Sequence, residues 1–322
     1  MASPTATAAF PAETSSEGAF VRQNYTIRDR ITADGSSGFL AEPGRYHLYV
    51  SLACPWAHRA IIVRELLGLQ DVISMSVVDP VRDDRGWAFR EGPGFGKDPV
   101  NGFSFLSEAY LATDPEYTGR WTVPCIWDRK THRLVSNNFP DITIDFETQF
   151  TKYQMPGAPD LYPEPKRREI DEIGAVLYED VNNGVYRAGF ATTQEAYEEA
   201  FDSLFARLDW LEDRLSGQRF LVGDAITEAD IRLYTTLARF DAVYVGHFKC
   251  NLRRLIDYPN LWGYARDLYQ RQGFGDTTNF DHIKRHYYMT HPTINPSRIV
   301  PKGPAVDWNA PHDRSRLSPG RG

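Results

Sequence analysis

Apolar and polar positions follow two regimes along this chain. Residues 46–150 mix short apolar runs with helical stretches, whereas the pattern from Glu169 to about residue 289 is helical throughout. Tyr46-His47-Leu48-Tyr49-Val50 is a short apolar and aromatic run that predicts a strand. Ile61, Ile62, Leu66 and Leu67 then recur at helical spacing until Gly68 stops the run. Ile73 to Asp79 predicts a second strand, giving a βαβ unit with a parallel pair. Arg120–Asp128 and Leu134-Val135, joined by Arg129-Lys130-Thr131-His132, predict an antiparallel hairpin. Ser136-Asn137-Asn138 then starts a helix carrying Ile142, Phe146 and Phe150. The order is β-α-β-insert-β-β-α, an α/β domain.

In the second half, Tyr197, Phe201, Leu204, Phe205, Leu208, Leu211 and Leu215 form an amphipathic stripe that Gly217 ends. Phe220-Leu221-Val222-Gly223-Asp224 leads into Thr227-Glu228-Ala229-Asp230, a helix-capping pattern with Asp where Glu is more usual. The expected organisation is an extension over 1–45, an α/β domain over 46–150 and a Pro- and Tyr-rich linker over 151–168. An all-helical domain over 169–290 and a Pro- and Arg-rich tail over 291–322 complete it. The tail is expected to wrap the surface or stay loose, and the extension's Gly-Ser tracts suggest a flexible start.

Residues 80–121 are long for a connection, and loops of that length are usually functional or disordered. Trp87 there is either a local core anchor or a wall of an active site. The Gly92–Lys97 stretch is not a phosphate loop, because Lys97 is followed by Asp98 rather than Ser or Thr. Pro124 just inside a predicted strand removes a ladder hydrogen bond. A cis Val123–Pro124 bond accounts for it and turns the Val123 backbone toward a ligand. Cys125 is expected to point into the core.

Composition narrows the function classes. The 322 residues suggest two domains, and a net charge of −7 argues against nucleic acid as the main partner. No apolar run approaches a membrane span, and no basic-then-apolar secretory leader opens the chain. Cys54, Cys125 and Cys250 are far apart and give neither a disulfide framework nor zinc spacing. A reducing cytoplasm fits that usage.

The chemistry concentrates at Ser51-Leu52-Ala53-Cys54-Pro55-Trp56-Ala57-His58, between the first strand and its helix. Cys54 sits where the helix presents unsatisfied N–H groups and its positive dipole end, which favour thiolate. Pro55 fits the first helical position, where a missing N–H costs nothing. The bland alternative is a buried, inert thiol. This strand–Cys-Pro–helix arrangement resembles the thioredoxin superfamily. No second cysteine follows at Ala57, so Cys54 must form a mixed disulfide with an external thiol that another external thiol resolves.

A thioredoxin-like domain, a helical domain and the Val222-Gly223-Asp224…Thr227…Asp230 helix start together resemble the soluble glutathione transferase superfamily. Further stretches resemble its Xi class, the glutathionyl-hydroquinone reductases. They are Cys54-Pro55-Trp56-Ala57, Gly86-Trp87-Ala88-Phe89, Asn182 to Ala191, and Asp281 to Tyr288. The resemblance implies a fold of a thioredoxin-like α/β domain followed by an all-α domain, and a homodimer built largely through the helical domains. It implies that Cys54 attacks the sulfur of a glutathionyl-hydroquinone and that free glutathione clears the resulting disulfide. Trp87 would wall the site, Arg120 would meet a carboxylate of the thiol, and Val123, beside Pro124, would pair with the thiol's backbone. Tyr186 and Tyr287 would contact the aromatic substrate, with Tyr288 the weaker candidate.

One departure concerns the thiol. Where the family reads Glu-Ser at the helix after the hairpin, this chain has Asn138 and Phe139, followed by Pro140 and Asp141. The helix N-terminus still offers donors to a carboxylate, and Asp141 can meet the ammonium. Arginine also far outnumbers lysine among the 36 basic residues, a weak sign of a GC-rich genome. A bulkier, less charged thiol such as mycothiol is therefore an alternative to glutathione. His282 and His286 are four residues apart but lack a third ligand, so no metal is expected. A non-catalytic transferase-like assembly module is the alternative of another class.

Overall fold

The computed structural model of the chain describes residues 13–318. The chain divides into two compact units. The first comprises Gln23–Pro159 and Asp281–Pro292, and the second comprises Asp160–Phe280 with residues 13–22 and 293–318.

The first unit is built on a four-stranded sheet: β1 (Tyr46–Val50), β2 (Ser74–Val77), β3 (Cys125–Asp128) and β4 (Arg133–Ser136). The order is β2-β1-β3-β4, with β1 parallel to β2 and antiparallel to β3. The parallel pair, the hairpin and the connecting helix α1 (Pro55–Leu66) are those the apolar spacing predicts. Every residue of β1 and β3 is buried, as fits the two interior strands of the sheet. Helix α3 (Phe139–Thr148) follows the hairpin, and Phe150 lies just beyond its end.

The insert is not wholly a loop, since it contains α2 (Leu106–Thr113). Its start is legible in hindsight, because the Glu108 carboxylate accepts from the backbone N–H groups of Ser104 and Phe105, both at 2.8 Å. The connection before it is ordered by Asp98, whose carboxylate accepts from Val100 N and Asn101 N and from the Tyr49 hydroxyl.

The last helix, α9 (Phe280–Thr290), belongs from Asp281 with the first unit, although sequence periodicity groups it with the helical half. Two long-range hydrogen bonds tie it there. His282 Nε2 donates to Pro93 O at 2.7 Å and His286 Nδ1 donates to Pro80 O at 2.8 Å, both into the insert.

The second unit packs α4 (Arg167–Leu177), α5 (Gly184–Gly189), α6 (Gln194–Gly217), α7 (Glu228–Arg239) and α8 (Pro259–Tyr269). Two π-helical turns, Tyr178–Asn182 and Phe240–Tyr244, interrupt the regular helix. Thr227 and Asp230 form the expected cap, with Thr227 N donating to Asp230 Oδ2 at 2.8 Å. Gly217 ends α6 as predicted.

The described part of the tail is pinned, not loose. Trp308 packs against Trp262, Tyr269 and Phe280. Arg314 is buried and donates to the carbonyls of Leu215, Gln218 and Arg219, satisfying the C-terminal end of α6.

The extension is also tied down over its described residues. Thr14 and Phe20 form a bridge, and Thr192 N donates to Gly18 O at 2.9 Å. Gly18 has a φ of 82°, and a Cβ there would come within 2.6 Å of Thr193, so glycine is required. The Gly-Ser tracts that suggest a flexible start, 15–18 and 35–38, fall in hydrogen-bonded turns, and residues 1–12 of the extension lie outside the described residues.

Two buried histidines make stability depend on pH. His47 is fully buried, with its ring nitrogens on Ser74 Oγ and Ser76 Oγ, and burial pushes its pKa down to about 4. Burial, with Lys249 nearby, does the same to His247, also to about 4. Unfolded, each titrates near 6.5, so the unfolded chain binds more protons between pH 6.5 and 4, and stability falls as pH falls through that window. At pH 5 each histidine is expected to cost about 2 kcal/mol relative to pH 7. His47→Gln should flatten the fall in unfolding free energy between pH 7 and 5 by about half. An unchanged slope in that variant would refute this account.

Candidate active site

Cys54 occupies the N-cap position of α1 with extended backbone angles, φ −78° and ψ 121°, and Pro55 takes the first helical turn. No acidic residue lies in that first turn to oppose a negative sulfur. The side chain is 9% exposed, and its Sγ donates to the Val123 carbonyl at 3.3 Å. The Val123–Pro124 bond is cis, as the proline's position predicts. The two other cysteines are fully buried, and burial pushes both thiols far above the ordinary thiol range. They are inert by environment.

Trp87 is 4% exposed and stacks on His286 of α9, with ring centroids 4.9 Å apart and planes 22° from parallel. The Arg82 guanidinium carbon lies over the Trp87 ring, 5.6 Å from its centroid. Of the two readings left open for Trp87, it is at least an anchor of the insert, because its carbonyl also accepts from Leu106 N at 2.9 Å. Tyr287 is buried and packs edge-on against His286 and His291, while Tyr288 is only partly buried. Arg120 is partly exposed, and its carbonyl accepts from the Tyr117 hydroxyl at 3.0 Å. Among the described residues, no three His, Cys, Asp or Glu side chains are grouped to hold a metal.

At the start of α3, Asn138 is the N-cap, and its Nδ2 donates to Asp141 Oδ2 at 2.5 Å. Asp141 also faces Arg30 at 3.5 Å and Arg28 at 3.8 Å. Its carboxylate therefore already has cationic and amide partners. Phe139 is only 3% exposed, its ring 4.6 Å from Trp56 at a tilt of 33° and edge-on to Tyr25 at 5.6 Å. The buried Arg59 guanidinium lies 4.8 Å from the Trp56 ring and 5.0 Å from Phe139. Phe139 thus packs inward beside the Cys54 helix. Sequence reasoning gave Arg59 no role, although it follows Cys54 by five residues and shares its helix with Trp56.

Cys54, Trp87, Arg120, Val123, Pro124, Asn138, Phe139, Asp141, Tyr287 and Tyr288 all lie in the first unit. Tyr186 lies in the second, on α5. It is 8% exposed, within an aromatic group that includes Phe190, Tyr244 and Phe248.

Comparison with known proteins bears on this arrangement. The family descriptions "Glutathione S-transferase, N-terminal domain" and "Glutathione S-transferase, C-terminal domain" match residues 53–149 and 194–267. The glutathionyl-hydroquinone reductase YqjG of Escherichia coli is 50% identical over 307 residues, covering 93% of each chain. This chain belongs to the glutathione S-transferase family.

Within that family it belongs to the Xi class. The Xi-class transferase of Natrialba magadii superposes with a TM-score of 0.89 at 48% identity, covering 91% of this chain and 89% of that one. A glutathione transferase from Gordonia bronchialis gives a TM-score of 0.89 at 55% identity, covering 91% of both chains. The structure of YqjG, described as glutathione-bound, gives 0.88 at 50% identity, covering 90% of this chain and 96% of that one. The transferase architecture of a thioredoxin-like sheet unit and a helical unit is the one the apolar pattern predicts. Among the described residues no helix is long and apolar enough to cross a membrane.

Proposed function

We propose that this transferase is a cysteine-dependent glutathionyl-hydroquinone reductase that works through a mixed disulfide on Cys54. The observation that carries the reading is the Cys54 thiol at the N-terminus of α1, beside the Val123 carbonyl and 9% exposed where Cys125 and Cys250 are fully buried. In this scheme the Cys54 thiolate attacks the sulfur of the conjugate. The aromatic C–S bond breaks, its electron pair stays with the ring, and a proton completes the hydroquinone. A second thiol then attacks the mixed disulfide, releasing a symmetrical disulfide and regenerating Cys54. The ring carbon is reduced while the conjugate's thioether sulfur and the second thiol's sulfur are oxidised, so the electrons balance without another cofactor.

The remaining residues divide between the two ligands. The Val123 carbonyl, beside Pro124, is an acceptor for an amide N–H of the thiol, and Arg120 is the cation for its carboxylate. Trp87 walls the site. Tyr186 and Tyr287 hydrogen-bond the ring hydroxyls, with Tyr288 in a lesser role. A homodimer is part of the same reading, and sedimentation at micromolar concentration giving only the 36.7 kDa species would count against it.

The first turn of α3 favours a second reading of the thiol. Asn138 brings no charge, and Asp141 is already engaged by Asn138, Arg28 and Arg30, so a γ-glutamyl ammonium meets competition there. Each charged hydrogen bond contributes roughly 1.5–3 kcal/mol. Glutathione should therefore bind about tenfold or more weakly than with an acidic residue at this place. The thiol favoured instead is less charged and bulkier, of the mycothiol kind.

The test is turnover of glutathionyl-menadiol with product identification, then replacement of glutathione by a sugar-containing thiol. Release of menadiol and disulfide supports the reaction; conjugate left intact with either thiol rejects it. Asn138→Glu is expected to lower the KM for glutathione about tenfold. Asn138→Glu with Phe139→Ser is the fuller reversion, but it also removes a buried ring and should cost stability. Wild-type saturation at low micromolar glutathione, unimproved by Asn138→Glu, would show that the departure is inconsequential.

A further inference from the structure

The described start of the chain carries a residue that the sequence motifs leave unassigned. Residues 13–22 form a strap on the second unit. It is closed by the Thr14–Phe20 bridge and by Val21 N donating to Glu13 O at 2.8 Å. It is fastened by Thr193 Oγ1 donating to Glu17 O at 2.9 Å and by Thr192 N donating to Gly18 O. The strap ends at Arg22. Arg22 Nε donates to Asn183 Oδ1 at 3.0 Å, which fixes the plane of the guanidinium. The guanidinium carbon then lies 4.9 Å from the centroid of the Tyr186 ring and 5.3 Å from that of Phe20.

Three features make this more than surface packing. Asn183 is itself only 7% exposed, and its carbonyl accepts from Tyr186 N and Arg187 N, so one residue fixes both the cation and the start of the tyrosine's helix. The π-helical turn Tyr178–Asn182 immediately precedes it, and such turns are frequent at functional sites. Asn182 anchors that turn by donating to Arg232 O at 2.9 Å and Thr236 Oγ1 at 2.8 Å of α7. The Tyr186 ring is further bounded by Phe248 at 5.4 Å, Tyr244 at 6.1 Å and Phe190 at 6.2 Å. A ring so enclosed has its orientation set by its neighbours, and one of these is a cation.

We propose that Arg22 is a positioning residue for the aromatic half of the reaction, acting through Tyr186. This rests on the reading above in which the Tyr186 hydroxyl hydrogen-bonds the hydroquinone ring. A cation on the face of a phenol draws electron density from its oxygen and makes the O–H a stronger donor. In the keto tautomer of the conjugate, with a hydroxyl proton moved to the sulfur-bearing carbon, breaking the C–S bond delivers its electron pair to a ring oxygen as phenolate, where that donor is needed most. Arg22 therefore acts on the step that expels the aromatic group. It has no part in resolving the Cys54 disulfide, which involves only sulfur.

The test compares two substrates on the full chain. Glutathionyl-menadiol uses the aromatic contact, whereas the mixed disulfide of glutathione and mercaptoethanol uses Cys54 and the thiol contacts alone. Arg22→Gln keeps a polar side chain near Asn183 and removes the charge. A cation–π contact at a partly desolvated site corresponds to about a tenfold effect. The ratio of the menadiol rate to the aliphatic rate is expected to fall about tenfold, in kcat with little change in KM. Arg22→Lys, which keeps the charge, should recover much of the ratio. In Tyr186→Phe, adding Arg22→Gln should cost less than about twofold more, because the hydroxyl through which Arg22 acts is already gone.

Equal losses on both substrates, no recovery with lysine, or full additivity of the two changes would each overturn the proposal. If Tyr186→Phe alone leaves the menadiol rate intact, the underlying reading of Tyr186 fails and the Arg22 proposal fails with it. If Tyr186→Phe is slow while Arg22→Gln matches wild type, only the role of Arg22 is rejected.

Discussion

Cys54→Ser is expected to lower dethiolation of a glutathionyl-hydroquinone by at least about a thousandfold, because a hydroxyl at that position is almost never ionised and is a poor nucleophile toward sulfur. The helix dipole cannot make up the difference, since it contributes of order 1 kcal/mol at a helix end. Nor can another thiol substitute. Cys125 and Cys250 are fully buried, and burial raises both thiols far out of the reactive range. The fold should hardly respond, because Cys54 is small, lies at a helix cap and makes one weak S–H contact to Val123 O at 3.3 Å. Melting within a degree or two of wild type is therefore expected alongside the loss of turnover. Mass spectrometry after exposure to the conjugate should find one thiol adduct on the wild type, at Cys54, and none on the variant. A Cys54→Ala protein that keeps most of its activity would sink the mechanism, as would an adduct carried on Cys125.

That prediction rests on the part of the molecule most legible in the sequence. The Cys54 turn is readable because a strand, a cysteine, a proline and a helical period follow one another between Tyr46 and Leu67, so local pattern suffices. The cis Val123–Pro124 bond is readable for the same reason, since a proline beside a strand leaves few alternatives. The cap at Thr227 and Asp230 is encoded three residues apart. What sequence pattern misses is long-range. Helix α9 has an ordinary helical period, and nothing local says that His282 and His286 reach 189 and 206 residues back to the carbonyls of Pro93 and Pro80. Arg22 and Asn183 are 161 residues apart, and neither stands in a periodic run. Asn138 was legible as a departure from the family, but not the engagement of Asp141 by Arg28 and Arg30 from the extension. Helix α2 was missed because the Gly-rich stretch before it hides an eight-residue helix whose cap is the only strong signal.

Asp230→Ala should be strongly destabilising in the helical unit. Asp230 is fully buried, and its carboxylate is saturated. Oδ1 accepts from Leu221 N at 2.9 Å and from the Tyr264 hydroxyl at 2.8 Å. Oδ2 accepts from Thr227 N at 2.8 Å and from Thr227 Oγ1 at 3.1 Å. Burial raises the carboxyl above its ordinary range while these four donors pull it back, so the stabilisation comes from geometry more than from charge. Alanine leaves the four donors facing a void. An unsatisfied buried donor costs about 1–3 kcal/mol, and partial rescue by water brings the sum to roughly 4 kcal/mol. Against a total stability of about 5–15 kcal/mol that is a large share. It corresponds to a melting point lower by roughly 10 °C. Asp230→Asn should fall between wild type and alanine, since the amide keeps one acceptor but turns a donor toward other donors. The effect reaches the proposed aromatic contact as well. Asp230 caps the start of α7, and α7 carries the Arg232 carbonyl and Thr236 hydroxyl that hold Asn182, four residues before Tyr186. An Asp230→Ala protein melting within about 2 °C of wild type would show that water replaces the carboxylate at little cost, and that this cap does not govern the stability of the helical unit.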